Sequence, residues 1–258
     1  MEISFHRLEG HGNRLGSGRF GRVFEAKLDG ERIVYKVMKH AVHSSVFMNE
    51  IRIMTMLSHA NITRLIGYCV EDNFMCILME EARGIDLYDY LMYYDVPVAH
   101  KQIISHEILE TLAYLHAKNI LYRDLKPENI VVERRYCSIK LIDFGLAVHL
   151  PNRTTMIQGI AGSHGYMAPE IALGKPYSFP VDLYSYGMTL FSLWACRTPT
   201  RRSEMRIHLA RARIPPYYRA LITSCIRQSP SQRPTAQALL TAPVVAPRTW
   251  LDYFCCRP

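Results

Sequence analysis

Long apolar runs are missing from this chain of 258 residues. No stretch approaches the roughly 20 consecutive apolar residues that a membrane-spanning helix needs. The opening residues, Met1 to Arg7, also lack the apolar segment of a secretory signal peptide. We therefore expect a soluble intracellular protein without a membrane span, located in the cytoplasm, the nucleus or both.

Cysteines at the spacings of a metal site or a disulfide framework are missing as well. The chain has seven cysteines, an odd number, with no Cys-x-x-Cys pair and no histidines at a matching spacing. This pattern excludes the usual zinc sites and a disulfide framework, so we interpret the cysteines as buried or incidental thiols. Cys255 and Cys256 lie beside Phe254, but no polybasic segment or prenylation box accompanies them, which disfavours a lipid anchor.

About half of the residues are apolar and a fifth are charged, as in globular proteins, and the length suits one large domain or two packed lobes. The net charge is +8. Part of it comes from a group of arginines without interleaved aromatic residues, which favours a solvated helix face over a nucleic-acid surface and leaves acidic substrates or partners open. These arginines are Arg197, Arg201, Arg202, Arg206, Arg211 and Arg213.

Apolar periodicity divides the chain near residues 80 to 84, where we predict a hinge between a small and a large lobe. The first third has short β-branched segments bounded by turn signals, which predict strands at Glu25–Leu28, Arg32–Met38 and Met75–Met79. Apolar residues at helical spacing predict a helix from Val42 to Leu57 and, in the large lobe, helices over Ala99–Lys118, Pro180–Ala195 and Tyr217–Ile226.

A G-x-G-x-x-G run, with Gly16, Gly18 and Gly21, lies between Leu15 and Val23. Glycines let a backbone turn sharply and approach phosphate oxygens without a Cβ in the way. Such a run also opens dinucleotide-binding folds, where a helix begins at the glycines. Here residues 22–26 have the pattern of a returning strand, which favours a strand-loop-strand cover over phosphates.

Two charged residues lie on apolar faces of neighbouring predicted elements. Strand alternation places Lys36 on the face of Val34 and Met38, and Glu50 falls on the apolar stripe of the helix, four residues after Val46. A charge buried alone is costly. We therefore predict that Lys36 and Glu50 form an ion pair, rather than a snorkelling lysine and an exposed glutamate.

The segment Tyr122–Asn129 concentrates chemically useful groups, because Asp124, Lys126 and Asn129 share one short loop. Asp143, in an Asp-Phe-Gly sequence, follows within twenty residues. These residues supply a base for a hydroxyl, a cation for a phosphate and two oxygen ligands for magnesium. That set is what phosphoryl transfer requires.

The glycine run, Lys36, Glu50, the loop and the Asp-Phe-Gly motif occur in an order and spacing that resemble eukaryotic-type protein kinases of the serine/threonine class. The compact chain is similar to kinases encoded by large DNA viruses. The resemblance implies an α+β, two-lobed fold, with a small antiparallel-sheet lobe carrying one main helix and a larger, mainly helical lobe. The implied divisions are a lead at 1–9, a small lobe at 10–82, a large lobe at 83–243 and a tail at 244–258.

The resemblance also implies roles for individual residues. Asp124 would accept or orient the proton of the substrate hydroxyl, and Lys126 would steady the transferred phosphate. Asn129 and Asp143 would hold Mg²⁺. Lys36, aligned by Glu50, would grip the α- and β-phosphates of ATP.

The family's ATP site implies a longer set of contacts on this chain. Met79 would be the gatekeeper, the backbone of Glu80 and Ala82 would meet the adenine edge, and Asp86 would reach the ribose. Val34 stands where the family usually has alanine, which narrows the pocket. The implied set comprises Leu15, Gly16, Ser17, Gly18, Arg19, Phe20, Gly21, Val23, Val34, Lys36, Met79, Glu80, Ala82, Asp86 and Val131.

Protein substrates with serine or threonine acceptors are implied by two further features. Lys126 follows the catalytic aspartate by two residues, as in serine/threonine-directed members. Residues 162–170 resemble the segment that docks a protein substrate. Glu170 with Arg233 resembles the family's buried ion pair, and Asp182 resembles the aspartate that holds the catalytic-loop backbone.

Two positions depart from the family pattern. Tyr122 replaces the more usual histidine, a change also found in active members. Gly159 occupies a place where many relatives carry a phosphorylated threonine, and Thr154 and Thr155 lie several residues earlier. We predict that Arg123 either pairs with a phosphate on one of these threonines or needs none because the loop is ordered without it.

Two other functions fit parts of the sequence. A pseudokinase would use the fold as an ATP-binding scaffold, but it has no chemical need for the complete set of catalytic residues. A basic interaction protein would use the fold as a platform. It predicts that substitutions in the arginine group abolish function whereas Asp124→Asn does not.

Overall fold

The computed structural model describes residues 1–10, 12–39, 44–71, 74–198, 209 and 212–241. The predicted tail at 244–258, with Cys255 and Cys256, lies outside the described residues. So does most of the arginine group, namely Arg201, Arg202, Arg206 and Arg211.

The small lobe is a six-stranded antiparallel sheet, with strand order β1-β3-β4-β6-β5 and β2 paired to β3. Alternation along β4 places Ile33 and Tyr35 in a small core on one face, while Met38 joins the main core on the other. The three predicted strands all lie within observed ones. The strands are β1 (Leu8–Glu9), β2 (Arg14–Ser17), β3 (Gly21–Leu28), β4 (Glu31–Met38), β5 (Leu65–Glu71) and β6 (Phe74–Glu80).

One helix, α1 (Ser44–Thr55), packs on this sheet. It buries Glu50, Ile53 and Met54, as the helical periodicity predicts, and also Phe47 and Ile51. The helix ends two residues earlier than predicted. The reason is a tightening of the last turn, where the N–H groups of Met56 and Leu57 donate to carbonyls three residues back, at 3.0 and 3.2 Å.

The first nine residues pack against the small-lobe sheet. The backbone N–H of Ile3 donates to the Tyr68 carbonyl at 2.8 Å, and β1 pairs with β3. The Phe5 ring meets the rings of Tyr35 and Phe74 edge-on, with centroids 5.8 and 4.7 Å away. These contacts cover the apolar face that the main core leaves open.

The large lobe is mainly helical. Its central helix, α5 (Pro180–Ala195), is buried along nearly its whole length, as an all-round apolar helix must be. None of the described helices has the length and apolar character to cross a membrane. The other helices are α2 (Leu87–Tyr93), α3 (Val98–Ala117), α4 (Pro169–Ala172), α6 (Pro216–Cys225) and α7 (Ala236–Thr241).

Five short strands lie in the described part of the large lobe, and the loops that face the small lobe connect them. They form a sheet of order β10-β9-β7 and a β11-β8 pair. Between β6 and β7 the lobes are joined by residues 81–84, where Gly84 has φ +130° and a Cβ would lie 2.1 Å from the Val132 carbonyl oxygen. The strands are β7 (Ile85–Asp86), β8 (Ile120–Leu121), β9 (Ile130–Val132), β10 (Ile139–Leu141) and β11 (Val148–His149).

Candidate active site

A cavity of about 680 Å³ lies where the two lobes meet. Its size is in the range of small-molecule sites. The lining includes every residue that the sequence analysis assigned to ATP, from Leu15 in β2 to Val131 in β9, together with Asp124, Lys126, Asn129 and Asp143. Glu50 does not line the cavity, because it lies behind Lys36 and is fully buried.

The glycine run forms the roof of this cavity as a hairpin between β2 and β3. The Gly18 N–H donates to the Gly21 carbonyl at 2.9 Å, which closes the turn. A Cβ at Gly21 would lie 2.5 Å from the Val37 carbonyl oxygen, so the strands approach this closely only with glycine there. The predicted strand-loop-strand is confirmed, and no helix begins at the glycines.

Lys36 contacts two carboxylates at the back of the cavity. Its Nζ lies 2.7 and 3.0 Å from the two Glu50 oxygens and 2.7 Å from Asp143 Oδ1. The predicted Lys36–Glu50 pair is therefore confirmed. Burial alone would lower the pKa of the ammonium, but the charges of Glu50 and Asp143 outweigh burial and raise it. Lys36 is a fixed cation at any physiological pH.

Asp182, at the start of α5, holds the backbone of the catalytic loop (Tyr122–Asn129). Its fully buried carboxylate accepts the N–H groups of Tyr122 at 2.9 Å and Arg123 at 2.8 Å, and it lies 2.9 Å from His116 Nε2. Arg123 has φ +71°, a conformation that is unfavourable for a residue with a side chain. The buried acceptor stabilises this strained backbone.

The catalytic loop brings three polar side chains together. Asn129 Nδ2 donates to the Asp124 backbone carbonyl at 2.8 Å and to its Oδ2 at 3.1 Å. Lys126 Nζ lies 3.4 Å from the same Oδ2 and donates to Ser163 Oγ at 2.6 Å. Asp124 Oδ1 is buried and has no hydrogen-bond partner among the described residues. An unpaired buried acceptor is costly, which indicates an atom that accepts a proton or hydrogen bond from a ligand.

Beyond the cavity, Glu170 and Arg233 form the predicted buried ion pair. The Arg233 guanidinium donates to both carboxylate oxygens, at 2.5 and 2.8 Å. It also donates to the carbonyls of Pro180, Arg227 and Gln228, which satisfies the remaining donors. This network fixes Glu170, the last residue of the segment 162–170, whose first two residues line the cavity.

Comparison with known proteins agrees with this geometry. The family described as protein kinase domain matches residues 10–245. The chain belongs to the protein kinase family. Its fold, with an antiparallel-sheet small lobe and a helical large lobe, is the protein kinase fold that the sequence predicts.

Several serine/threonine kinases are similar to this protein kinase. Aurora kinase C of Mus musculus is 30% identical over 254 residues, covering 91% of this chain and 90% of the relative. A probable serine/threonine-protein kinase of Dictyostelium discoideum is 30% identical over 257 residues, covering 93% of this chain and 27% of the relative. The RAF proto-oncogene serine/threonine-protein kinase of Xenopus laevis is 32% identical over 198 residues, covering 72% and 31%. The chain spans less than a third of the last two relatives.

Sequence reasoning missed several residues of the kinase site. Ser163, which contacts Lys126, lay within the segment that the resemblance assigned to substrate docking, but no local pattern predicts that contact. The others line the cavity from loops and from short elements, such as β7 and α2, whose positions are set by the fold. The missed lining residues are Thr63, Glu81, Arg83, Gly84, Ile85, Asp89, Glu128, Ile142, Leu146, Gly162 and Ser163.

The departure at Tyr122 has a clear structural basis. The side chain is fully buried, and its hydroxyl donates to the Ile142 carbonyl at 2.5 Å. The ring packs edge-on against Phe144, with centroids 5.2 Å apart. Tyr122 therefore joins the catalytic loop to the Asp-Phe-Gly motif by packing and by a hydrogen bond.

Two of the residues that line the cavity, Asp143 and Asn129, suit a magnesium nucleotide. Asp143 offers carboxylate oxygens. The two hydrogen bonds of Asn129 to Asp124 use its amide nitrogen, so its amide oxygen can bind a cation. Carboxylate and amide oxygens are ligands that Mg²⁺ prefers. A Cβ at Gly18 would lie 3.8 Å from Asp143 Oδ2, so the glycine hairpin approaches this carboxylate closely. The oxygen ligands of Asn129 and Asp143 therefore fit Mg²⁺, and the glycine hairpin above them fits the phosphates of the nucleotide.

Acid is expected to weaken the folded state through Asp143. Burial would raise the pKa of this carboxyl, but the charge and hydrogen bond of Lys36, with the Gly145 N–H, outweigh burial and lower the pKa below 3.8. A carboxyl of lowered pKa stabilises the fold above its unfolded pKa, and this contribution disappears as the pH falls through the folded value. We expect the free energy of unfolding to fall more steeply below about pH 4 in the wild type than in Asp143→Asn. Urea unfolding at stepped pH measures both slopes, and parallel curves would contradict the expectation.

Proposed function

We propose that this protein kinase transfers the γ-phosphate of ATP, with Mg²⁺, to serine or threonine hydroxyls of protein substrates. One observation carries the proposal. A single cavity brings together Asp124 Oδ1, which has no partner in the described part of the chain, the cation of Lys36 and the oxygen ligands Asn129 and Asp143. A scaffold that only binds nucleotide has no use for an acid at the acceptor end with one buried carboxylate oxygen that has no hydrogen-bond partner among the described residues.

At the nucleotide end, Lys36 would bind the α- and β-phosphates. Glu50 fixes the ammonium from behind, at 2.7 Å, so the cation is already oriented when ATP arrives. Pre-oriented charge acts without reorganisation during the reaction. Asn129 and Asp143 would hold the magnesium ion, which when bound neutralises the charge of the β- and γ-phosphates.

At the acceptor end, Asp124 would orient the substrate hydroxyl and take its proton through Oδ1. The hydroxyl oxygen then forms its bond to the γ-phosphorus, the bond from that phosphorus to the β–γ bridging oxygen breaks, and ADP leaves with the electron pair. Lys126, already 3.4 Å from Asp124, carries a charge that would steady the transferred phosphate. Asn129 holds Asp124 in place through two hydrogen bonds.

Serine or threonine is the acceptor class that best fits the site. Lys126 occupies the loop position typical of serine/threonine-directed kinases and is anchored by Ser163 Oγ. The similar proteins compared above include kinases whose names give the same class. The segment at residues 162–170, which resembles a docking site for protein substrates, supports a protein as the acceptor. The Glu170–Arg233 pair fixes its position.

The full chain, incubated with labelled ATP, magnesium and a degenerate peptide library, tests the proposal. We expect label on serine or threonine, and a rate at least about a hundredfold lower for Asp124→Asn, because the amide cannot take the hydroxyl proton. Asp95→Asn is the matched control, since Asp95 is exposed and lies outside the cavity.

Three outcomes would count against the proposal. Binding of ATP without transfer by the wild type would favour a scaffold. Label chiefly on tyrosine would overturn the acceptor class. Equal rates for the wild type and Asp124→Asn would remove Asp124 from its role as base.

A further inference from the structure

The guanidinium of Arg123 is held by two neutral groups. Its Nε donates to the Leu146 carbonyl at 2.6 Å, and its Nη1 donates to the Tyr177 hydroxyl at 3.1 Å. Arg123 directly precedes Asp124, so the position of one constrains the other. Its own carbonyl oxygen also lies against Gly162, where a Cβ would be 2.7 Å away.

Tyr177 connects the catalytic loop to the segment from Asp143 to Glu170, which we call the activation segment. The side chain is only 1% exposed. Its backbone N–H and carbonyl exchange two hydrogen bonds with Ile157, both 2.9 Å long. One residue therefore joins the activation segment through its backbone and Arg123 through its hydroxyl.

The threonines of the activation segment face a different partner. The hydroxyls of Thr154 and Thr155 donate to Asn152 Oδ1 at 2.7 and 3.0 Å, in an exposed local turn. Gly159 has φ +117°, a conformation that residues with a side chain rarely adopt. In this arrangement the two threonine hydroxyls are engaged locally, and position 159 has no side chain to carry a phosphate.

We propose that Tyr177 is a positioning residue for phosphoryl transfer, and that its hydroxyl orders Arg123 and the activation segment without a phosphate. The proposal rests on the proposed function, since it concerns the regulation of the same site. Of the two alternatives for Arg123, it selects the one in which no phosphate is needed. Tyr177 acts through Arg123 and does not touch the reacting atoms.

Tyr177→Phe in the full chain tests this role. Losing a hydrogen bond to a charged group is expected to lower kcat roughly tenfold, while KM for ATP stays within about twofold because the nucleotide contacts are unchanged. Tyr186→Phe is the matched control. Tyr186 is equally buried, but its hydroxyl donates to the Ser105 carbonyl in the large-lobe core, at 2.9 Å. This control is expected to lose stability but not kcat.

A double-mutant cycle tests whether Tyr177 acts through Arg123. In an Arg123→Ala background, Tyr177→Phe is expected to leave kcat unchanged. A tenfold effect in both backgrounds would overturn the proposed route, as would a Tyr177→Phe enzyme with wild-type kcat in an otherwise unchanged chain.

Phosphate independence has its own test. Phosphatase-treated wild type and the double variant Thr154→Ala, Thr155→Ala are expected to retain kcat within about twofold, because neither hydroxyl contacts Arg123. A tenfold loss in either sample would overturn the inference while leaving the proposed function intact. An inactive wild type would instead overturn the proposed function itself.

Discussion

Replacing Lys36 by methionine is expected to lower kcat about a thousandfold or more, which corresponds to about 4 kcal/mol of lost transition-state stabilisation. The substitution removes the cation that pairs with Glu50 and Asp143, both within 2.7 Å of it. Glu50 would then be buried without the cation that pairs with it and would take up a proton, and Asp143 would lose its orientation. The phosphates of ATP would lose the same cation. Steady-state kinetics at saturating ATP measures the loss.

Lys39→Met is the matched control for this prediction. Lys39 lies three residues along the chain, and its Nζ donates to the Gly18 carbonyl at 2.7 Å, at an exposed position. It contacts the glycine hairpin but no carboxylate of the site, so we expect kcat within about threefold of the wild type. A Lys36→Met enzyme with a rate within tenfold of the wild type would contradict the role given to Lys36.

Replacing Arg233 by methionine is expected to cost about 3–5 kcal/mol of folding stability. The Arg233 side chain is fully buried and Glu170 is 6% exposed, so the substitution leaves a buried carboxylate without its partner. Three backbone carbonyls lose donors as well. For a chain of this size the change corresponds to a fall in Tm on the order of 10 °C. Urea and thermal unfolding measure it.

Two variants make this prediction specific. Arg32→Met breaks an exposed pair with Glu81, at 2.7 Å, and is expected to change stability by less than about 1 kcal/mol. The double variant Glu170→Met, Arg233→Met removes both charges and is expected to recover part of the loss, because no carboxylate remains buried alone. Equal costs for Arg32→Met and Arg233→Met would contradict the argument from burial.

Strand and helix periodicity were sufficient to predict the Lys36–Glu50 pair. Each residue lies on an apolar face of its own element, and an element that packs by that face must bring the charge inside. Periodicity does not predict the contact of Lys36 with Asp143, which is 107 residues away and lies in a loop rather than on a face of a strand or helix. Its contact with Lys36 depends on how the large lobe presents the loop after β10.

The end of helix α1 was predicted less accurately than its buried face. The periodicity of residues 42–57 gave the helix and its buried face, but the observed helix ends at Thr55 because the following N–H groups bond three residues back. Apolar spacing does not predict whether an N–H at the helix end donates to the carbonyl three or four residues back, because these two carbonyls are neighbours on the same turn.

The sequence by itself determined which chemical groups are present, their order along the chain and the division into a sheet-rich and a helical lobe. These features depend on local periodicity and on motifs of a few residues. The tertiary structure alone decided which distant groups meet, namely Lys126 with Ser163 and Arg123 with Tyr177. It also decided that Asp124 Oδ1 is buried with no hydrogen-bond partner among the described residues. Hydrogen bonds require a fit within a few tenths of an ångström. Only the packing of whole elements fixes distances between remote residues that finely.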